Sequence, residues 1–239
     1  MPEEDISAGS SPVRHEIDPR AAEPVAKVST GSRRLDSILG GGVSFGRLTE
    51  FSGDSGAGKS QLLFTLVVEF PRKEGRILFV DTGGTFRPER VHQIATLKKG
   101  EPDAVLSNVD VLGAKSFEKV VADVTAALES GRYSALLVDS LSDLFYGGTE
   151  FSKDTARLSL FCRELSFSAL TRGTLVVVAN GVRYNPDTNT TSAQGFDYTA
   201  AYIHTRVSLC RNGERWLATE LDSRDRAEFA IGPAGIVDV

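Results

Sequence analysis

The run from Gly53 to Ser60 constrains the fold of this chain more than any other feature. It reads Gly-Asp-Ser-Gly-Ala-Gly-Lys-Ser and matches the pattern G-x-x-x-x-G-K-[ST] in full. In such a loop the glycines let backbone N–H groups turn towards phosphate oxygens, the lysine reaches the outer phosphates and the last hydroxyl binds Mg²⁺. The loop joins a buried strand to a helix. The sequence therefore predicts nucleotide binding at Gly53, Asp54, Ser55, Gly56, Ala57, Gly58, Lys59 and Ser60.

Strand and helix signals alternate along the rest of the chain. Continuous apolar runs at 76–81, 135–139 and 174–179 predict buried strands, and segments with helical periodicity lie between them. Near the end, 205–210 and 215–221 flank an Asn-Gly turn and predict a hairpin. We therefore predict an α/β fold with a mostly parallel sheet, helices on both faces and a C-terminal antiparallel hairpin.

Composition narrows the domain organisation and the classes of function. Residues 1–28 hold six acidic and three basic residues and no aromatic one, so we predict a disordered acidic tail followed by one nucleotide-binding domain at 29–239. No apolar run is long enough to span a membrane. Two cysteines and three scattered histidines argue against a disulfide framework or a His-built zinc site. A net charge of −5 argues against a broad nucleic-acid-binding surface.

Carboxylates close two of the predicted buried strands. Asp81 ends the run at 76–81, and Asp139 ends the run at 135–139. Because the carboxyl ends of parallel strands meet at one edge of the sheet, a carboxylate there can hold Mg²⁺. We assign this metal role to Asp139 together with Ser60. For Asp81 the sequence leaves open whether it lies near the metal.

Two longer stretches resemble a known family. They are Ser29-Thr-Gly-Ser-Arg-Arg-Leu-Asp-Ser-Ile-Leu-Gly-Gly-Gly-Val43 and Asp81-Thr-Gly-Gly-Thr-Phe-Arg-Pro-Glu-Arg-Val91. Both resemble the RecA/RadA recombinase superfamily, in its archaeal and eukaryotic branch, and the absence of an Asn-Lys-x-Asp motif argues against GTP. The resemblance implies a RecA-like core, ATP and Mg²⁺ as cofactors, and Arg90 as the residue that stacks on adenine. It also implies two loops that contact single-stranded DNA, at 146–153 and 183–194, with Tyr146, Lys153, Arg157, Arg183 and Tyr184 as candidate contacts.

The chain departs from the family pattern at several positions. Gly83 stands where the family has a glutamate that orients the attacking water, and Gly181 stands where a glutamine senses the γ-phosphate. The first phenylalanine is Phe45, so the Phe-x-x-Ala hook that links neighbouring subunits is missing from this sequence. Arg224 and Asp225 replace the prolines of the subunit-bridging segment. Trp216 in the hairpin is interpreted as a core residue rather than a platform for bases.

These departures favour a core-only recombinase paralogue that resembles archaeal RadB proteins. Such a protein would bind ATP, hydrolyse it weakly if at all, bind single-stranded DNA weakly and assist a RadA-type recombinase, without forming long homofilaments. It would lie in the cytoplasm at the nucleoid of an archaeon, or in a eukaryotic nucleus. One alternative is a DNA-dependent ATPase that performs strand exchange itself, with Glu50 or Glu89 replacing the lost glutamate. The other is a nucleotide-gated signalling module without a DNA role.

Overall fold

A computed structural model describes residues 25–113, 116–144, 151–187 and 189–239. In chain order the strands of these residues are β1 (Lys27–Val28), β2 (Val43–Ser44), β3 (Leu48–Gly53), β4 (Arg76–Asp81), β5 (Val109–Gly113), β6 (Tyr133–Asp139), β7 (Leu175–Asn180), β8 (Val182–Asn185), β9 (Thr190–Ala193), β10 (Thr205–Asn212), β11 (Arg215–Glu220), β12 (Arg226–Gly232) and β13 (Gly235–Asp238). The helices are α1 (Arg33–Ile38), α2 (Lys59–Glu69), α3 (Pro88–Lys98), α4 (Pro102–Ser107), α5 (Phe117–Glu129), α6 (Phe151–Arg172) and α7 (Phe196–Thr199).

The central sheet has nine strands within the described residues, in the order β13-β12-β11-β10-β3-β7-β6-β4-β5. The strands from β10 to β5 are parallel, and β11, β12 and β13 extend the sheet in antiparallel fashion. The predicted α/β class with a mostly parallel sheet is therefore confirmed. The predicted terminal hairpin is β10–β11, but two further strands follow it, so the antiparallel region is larger than the sequence indicated.

Helices cover both faces of the sheet. Alternate residues of β6 show the two layers, since Ala135 and Leu137 pack with α2 and α3, whereas Leu136 and Val138 pack with α5 and α6. Both layers are closed and apolar, which explains why the strands read as continuous apolar runs rather than alternating ones. The polar ends of these strands are left at one edge of the sheet.

Two predicted boundaries differ from the structure. β1 pairs Lys27 and Val28 with β2, so ordered structure begins before residue 29; an edge pairing of two residues leaves no periodicity in the sequence. The helix predicted from about residue 154 begins at Phe151, because residues 151–153 hold no helix breaker, so these three residues of the predicted first DNA loop are helical and 146–150 lie outside the described residues. Residues 1–24 of the predicted tail lie outside the described residues. Among the described helices, none is long and apolar enough to cross a membrane.

Candidate nucleotide-binding site

The phosphate-loop pattern lies between β3 and α2, as predicted, at the carboxyl edge of the parallel sheet. It borders an open cleft of about 540 Å³ that Thr85, Asp139, Asp143, Trp216 and other residues also line. Crevices at this edge are where open α/β sheets bind ligands, because the loops after several strands converge there. The free N–H groups at the start of α2 face the same region, and the residue before the helix, Gly58, provides no side-chain cap.

Glycines shape the loop because side chains would not fit. Gly58 has φ of +92°, and a Cβ there would lie 2.7 Å from Cδ1 of Ile231. A Cβ on Gly53 would lie 2.3 Å from the carbonyl oxygen of Leu209 on the neighbouring β10. A backbone that turns this tightly and packs this closely can surround a phosphate group with its N–H donors.

Lys59 holds the loop in shape. Its Nζ atom donates to the carbonyl oxygens of Gly53 (2.7 Å) and Asp54 (2.8 Å). Burial lowers the pKa of Lys59, and the charges of Asp139, Asp54 and Asp143 partly oppose that effect. An ammonium has three N–H donors, so one remains for a phosphate oxygen.

Asp139 and Ser60, the two predicted metal ligands, both line the cleft. The Thr85 hydroxyl donates to the Asp139 carboxylate at 3.2 Å. Burial raises the pKa of Asp139, and the neighbouring Ser60 and Thr85 hydroxyls and the charge of Lys59 oppose the rise. Among the described residues no cluster of three acidic, His or Cys side chains could hold a metal alone. A hydroxyl and one carboxylate fit Mg²⁺, which binds few protein oxygens and completes its shell with phosphate and water.

Asp81 shapes the neighbouring loop. Its two carboxylate oxygens accept the backbone N–H groups of Thr85 (2.8 Å) and Phe86 (3.0 Å). Both oxygens are therefore engaged in holding the turn after β4. The charge of Asp81 still reaches the predicted metal site, where it contributes to the raised pKa of Asp139.

Hydrogen bonds from the N–H groups of its guanidinium hold the Arg90 side chain in place. Nε donates to Gln61 (2.8 Å), Nη1 to the carbonyl of Pro233 (2.8 Å) and Nη2 to the carbonyl of Gly232 (2.6 Å). The turn between β12 and β13 therefore fixes the plane of this side chain beside the phosphate loop. Burial lowers its pKa.

The candidate substitutes for the missing glutamate lie elsewhere. Glu50 is fully buried in β3, where it pairs with Arg206 (3.2 Å) and accepts from Asn180 (2.8 Å). Glu89 is in the first turn of α3 and exposed. Neither residue lines the cleft. The structure instead brings Asp143 and Gln194 into the cleft, which the sequence analysis missed because each lies close to the loop only in space.

Trp216 packs against the core, as interpreted, and also borders the nucleotide cleft. Its ring stacks with Phe229 at 6.4 Å between centroids, and its indole N–H donates to the Gly56 carbonyl at 3.3 Å. A Cβ on Gly58 would lie 3.4 Å from the indole nitrogen. The Trp216 side chain therefore packs against the phosphate loop and lines one side of the cleft.

The predicted DNA contacts are only partly within the described residues. Arg183 and Tyr184 are exposed on the β8–β9 hairpin, where the Tyr184 hydroxyl donates to Asn189 (2.9 Å). Arg157 is on α6 and pairs with Glu118 of α5 at 3.0 Å, which places it on a solvated helix face. Lys153 is in the first turn of α6, but its side chain and the whole of Tyr146 lie outside the described residues.

Fold and site together define a RecA-like α/β core. The chain belongs to the Rad51 family, whose family model matches residues 21–238. It is 33% identical to the meiotic recombination protein DMC1 of Saccharomyces cerevisiae, over 98% of this chain and 77% of the relative. It is 34% identical to the DNA repair protein RAD51 of Mycosarcoma maydis, over 88% and 69%. It is 30% identical to the DNA repair and recombination protein RadA of Ignicoccus hospitalis, over 89% and 73%. The predicted superfamily is thus confirmed.

Proposed function

We propose that this protein is an ATP-binding recombinase paralogue that assists a RadA-type recombinase in homologous recombination and DNA repair. The observation that carries this proposal is that the phosphate-loop pattern is complete, whereas position 83, where the family has a glutamate, is a glycine. The relatives named for recombination and DNA repair support the biological setting. Binding and hydrolysis are separable here, because Gly83 lies outside the loop that would hold the phosphates.

Residues that line the cleft would bind the phosphates and the metal, and Arg90, which is not part of the cleft lining, would contact the base. Bound Mg·ATP would supply a γ-phosphate whose presence distinguishes the loaded protein from the ADP-bound one. The start of α2 and the free N–H of Lys59 bind the phosphates. Ser60 and Asp139 hold the metal. Arg90 has its N–H edges engaged, so the face of its guanidinium is left for the adenine ring.

Hydrolysis is weak in this proposal. Loss of a group that orients or deprotonates the attacking water costs about 10²- to 10⁴-fold in rate. At most the protein is therefore a weak DNA-dependent ATPase. Slow turnover suits a regulator that stays loaded while it acts on a filament built by another protein.

Contact with single-stranded DNA is weak and local in this proposal. The β8–β9 hairpin exposes Arg183 and Tyr184, while Asp187 in its turn cancels one positive charge. Few released counterions give low affinity, and a base stacked on an exposed tyrosine adds about 1–3 kcal/mol. We therefore expect binding that is detectable at low salt and lost at physiological salt.

The test is nucleotide-dependent capture of the recombinase. The full chain is immobilised, and RadA-type recombinase from the same organism is passed over it with Mg·ATPγS or without nucleotide. Lys59→Ala is the control for nucleotide loading. We expect capture by the wild-type protein with nucleotide and little by the variant. Absence of capture under all conditions would refute the partner assignment.

A strand-exchange enzyme is the second candidate, and Asp143 in the cleft is the observation that favours it. Strand exchange by the pure protein with ATP separates the two. Regular helical filaments in electron micrographs of this chain alone, with ATP and DNA, would also favour the second candidate over the accessory role.

A further inference from the structure

A carboxylate occupies the space beside Gly83. A Cβ at position 83 would lie 3.3 Å from Oδ2 of Asp143. Asp143 comes after the end of β6 and faces the cleft that Lys59 and Asp139 line. The negative charge of Asp143 opposes the lowering of the Lys59 pKa by burial, so the carboxylate and the ammonium group interact across the cleft. A carboxylate is thus present where a side chain from position 83 would begin.

A directional chain of hydrogen bonds fixes this carboxylate. The Gly181 N–H donates to Ser142 Oγ (3.2 Å), the Ser142 and Ser140 hydroxyls are 2.8 Å apart, and the Ser140 hydroxyl donates to Asp143 Oδ2 (2.9 Å). Because the single proton of Ser140 goes to Asp143, Ser142 must donate to Ser140. Each bond polarises the next towards the carboxylate. Among the described residues Oδ1 of Asp143 has no hydrogen-bond partner, which leaves that oxygen for a water in the cleft.

An amide occupies the space beside Gly181 in the same way. A Cβ at position 181 would lie 3.1 Å from Nε2 of Gln194. Gln194 closes the base of the β8–β9 hairpin, because its N–H donates to the Gly181 carbonyl and its own carbonyl accepts from Asn180, both at 2.9 Å. Its side chain also lines the cleft. It therefore borders both the cleft and the hairpin.

We propose that Asp143 and Gln194 supply the carboxylate and the amide that positions 83 and 181 lack. Asp143 accepts a hydrogen bond from the water that attacks ATP, and Gln194 transmits the state of the nucleotide to the β8–β9 hairpin. The proposal rests on ATP binding in this cleft, as proposed above, and it identifies the source of the remaining hydrolysis.

The hydrolytic step balances as follows. The water oxygen forms a bond to the γ-phosphorus while the bond between that phosphorus and the bridging oxygen breaks, and the electron pair leaves with ADP. The water proton passes to the Asp143 carboxylate and then to the released phosphate or to solvent. No oxidant, reductant or further co-reactant takes part.

Asp143→Asn tests the carboxylate, with Asp103→Asn as matched control, since Asp103 is exposed on α4 and does not line the cleft. Binding of Mg·ATPγS is followed by calorimetry and hydrolysis of ATP in single turnover, both on the full chain. We expect Asp143→Asn to bind within about threefold of wild type and to hydrolyse roughly 10²-fold more slowly. The control matches wild type in both measurements.

Three outcomes would overturn the role of Asp143. They are unchanged hydrolysis in Asp143→Asn, loss of binding together with hydrolysis, and no hydrolysis by wild-type protein that binds nucleotide normally. In the first and third cases ATP binding stands and only this inference fails, whereas no binding by wild type would refute the proposed function as well.

Moving the carboxylate from position 143 to position 83 tests whether the two positions serve the same place in the cleft. The backbone of Gly83 is outside the left-handed region, so it admits a glutamate without backbone strain, and removing the Asp143 carboxylate relieves the contact at 3.3 Å. We expect Gly83→Glu with Asp143→Ala to recover hydrolysis to within about tenfold of wild type. Gly83→Glu alone gives no gain, because two carboxylates would meet in one place. Clearly faster hydrolysis in Gly83→Glu alone would contradict the proposal that Asp143 supplies the carboxylate missing at position 83.

Gln194→Ala tests the amide by hydrogen exchange, a measurement that needs neither hydrolysis nor DNA. We expect Mg·ATPγS to slow amide exchange in the β8–β9 hairpin of wild type several-fold, and Gln194→Ala to lose this difference while nucleotide binding persists. Asp187→Ala, at the exposed turn of the hairpin, keeps the difference. The role of Gln194 would be overturned if Mg·ATPγS left amide exchange in the wild-type hairpin unchanged, or if it still slowed exchange in Gln194→Ala.

Discussion

Gly58→Ala separates the cost of a strained backbone from the loss of a phosphate cradle. With φ of +92° at this position, an alanine costs about 1–2 kcal/mol for the left-handed conformation. Its Cβ would also lie 2.7 Å from Cδ1 of Ile231. Moving the end of that flexible side chain adds about 1 kcal/mol. The total of about 2–3 kcal/mol lowers Tm by about 4–12 °C in a protein of this size.

Gly100→Ala is the matched control, because Gly100 has φ of +70° and open space around its Cβ position. Thermal unfolding with and without Mg·ATPγS gives the comparison. Nucleotide at 100 times its Kd stabilises a binding-competent protein by about 2.7 kcal/mol. Wild type and Gly100→Ala gain this amount, whereas Gly58→Ala gains little. The reasoning is refuted if Gly58→Ala keeps the full gain and loses no more stability than the control.

Three further changes have defined outcomes. Mg·ATPγS alters the fluorescence of Trp216, the one tryptophan of the chain, because its indole contacts the phosphate loop; Trp216→Phe removes the signal but not the binding measured by calorimetry. Asp81→Asn destabilises the protein by about 1–3 kcal/mol in urea unfolding, because an amide has one oxygen to replace two that accept backbone N–H groups. Asp110→Asn is less stable than wild type at neutral pH, since the hydrogen bond from Arg76 holds the pKa of Asp110 below its usual 3.8. That contribution is present above the unfolded pKa and is lost as pH falls through the lower folded value, so the two unfolding curves converge in acid.

The sequence predicted the elements whose signals are local. The glycine loop, the three continuous apolar strands and the Asn-Gly turn each specify their structure within a few residues. It missed β12 and β13, because neither strand contains a long continuous apolar run. It also missed α1, which is six residues long and begins with Ser32 as its cap.

For the site, the sequence indicated the residues that a motif contains and missed those that only folding brings near. Ser60 and Asp139 line the same cleft because β3 and β6, which β7 separates, end at one edge of the sheet, as the pattern of the sequence implied. Gln194 reaches Gly181 only because the β8–β9 hairpin closes on itself. Asp143 reaches Gly83 across two loops, and no spacing rule connects them. Its charge, shortly after Asp139 in the chain, was the one signal available.

The most direct test of this account is calorimetric titration of the full chain with Mg·ATPγS, beside Lys59→Ala. We predict one nucleotide per chain and an affinity at least about tenfold lower in the variant, since a charge-assisted contact to phosphate is worth about 1.5–3 kcal/mol. Absence of heat from the wild-type protein at millimolar nucleotide, or equal affinity in both proteins, would contradict it.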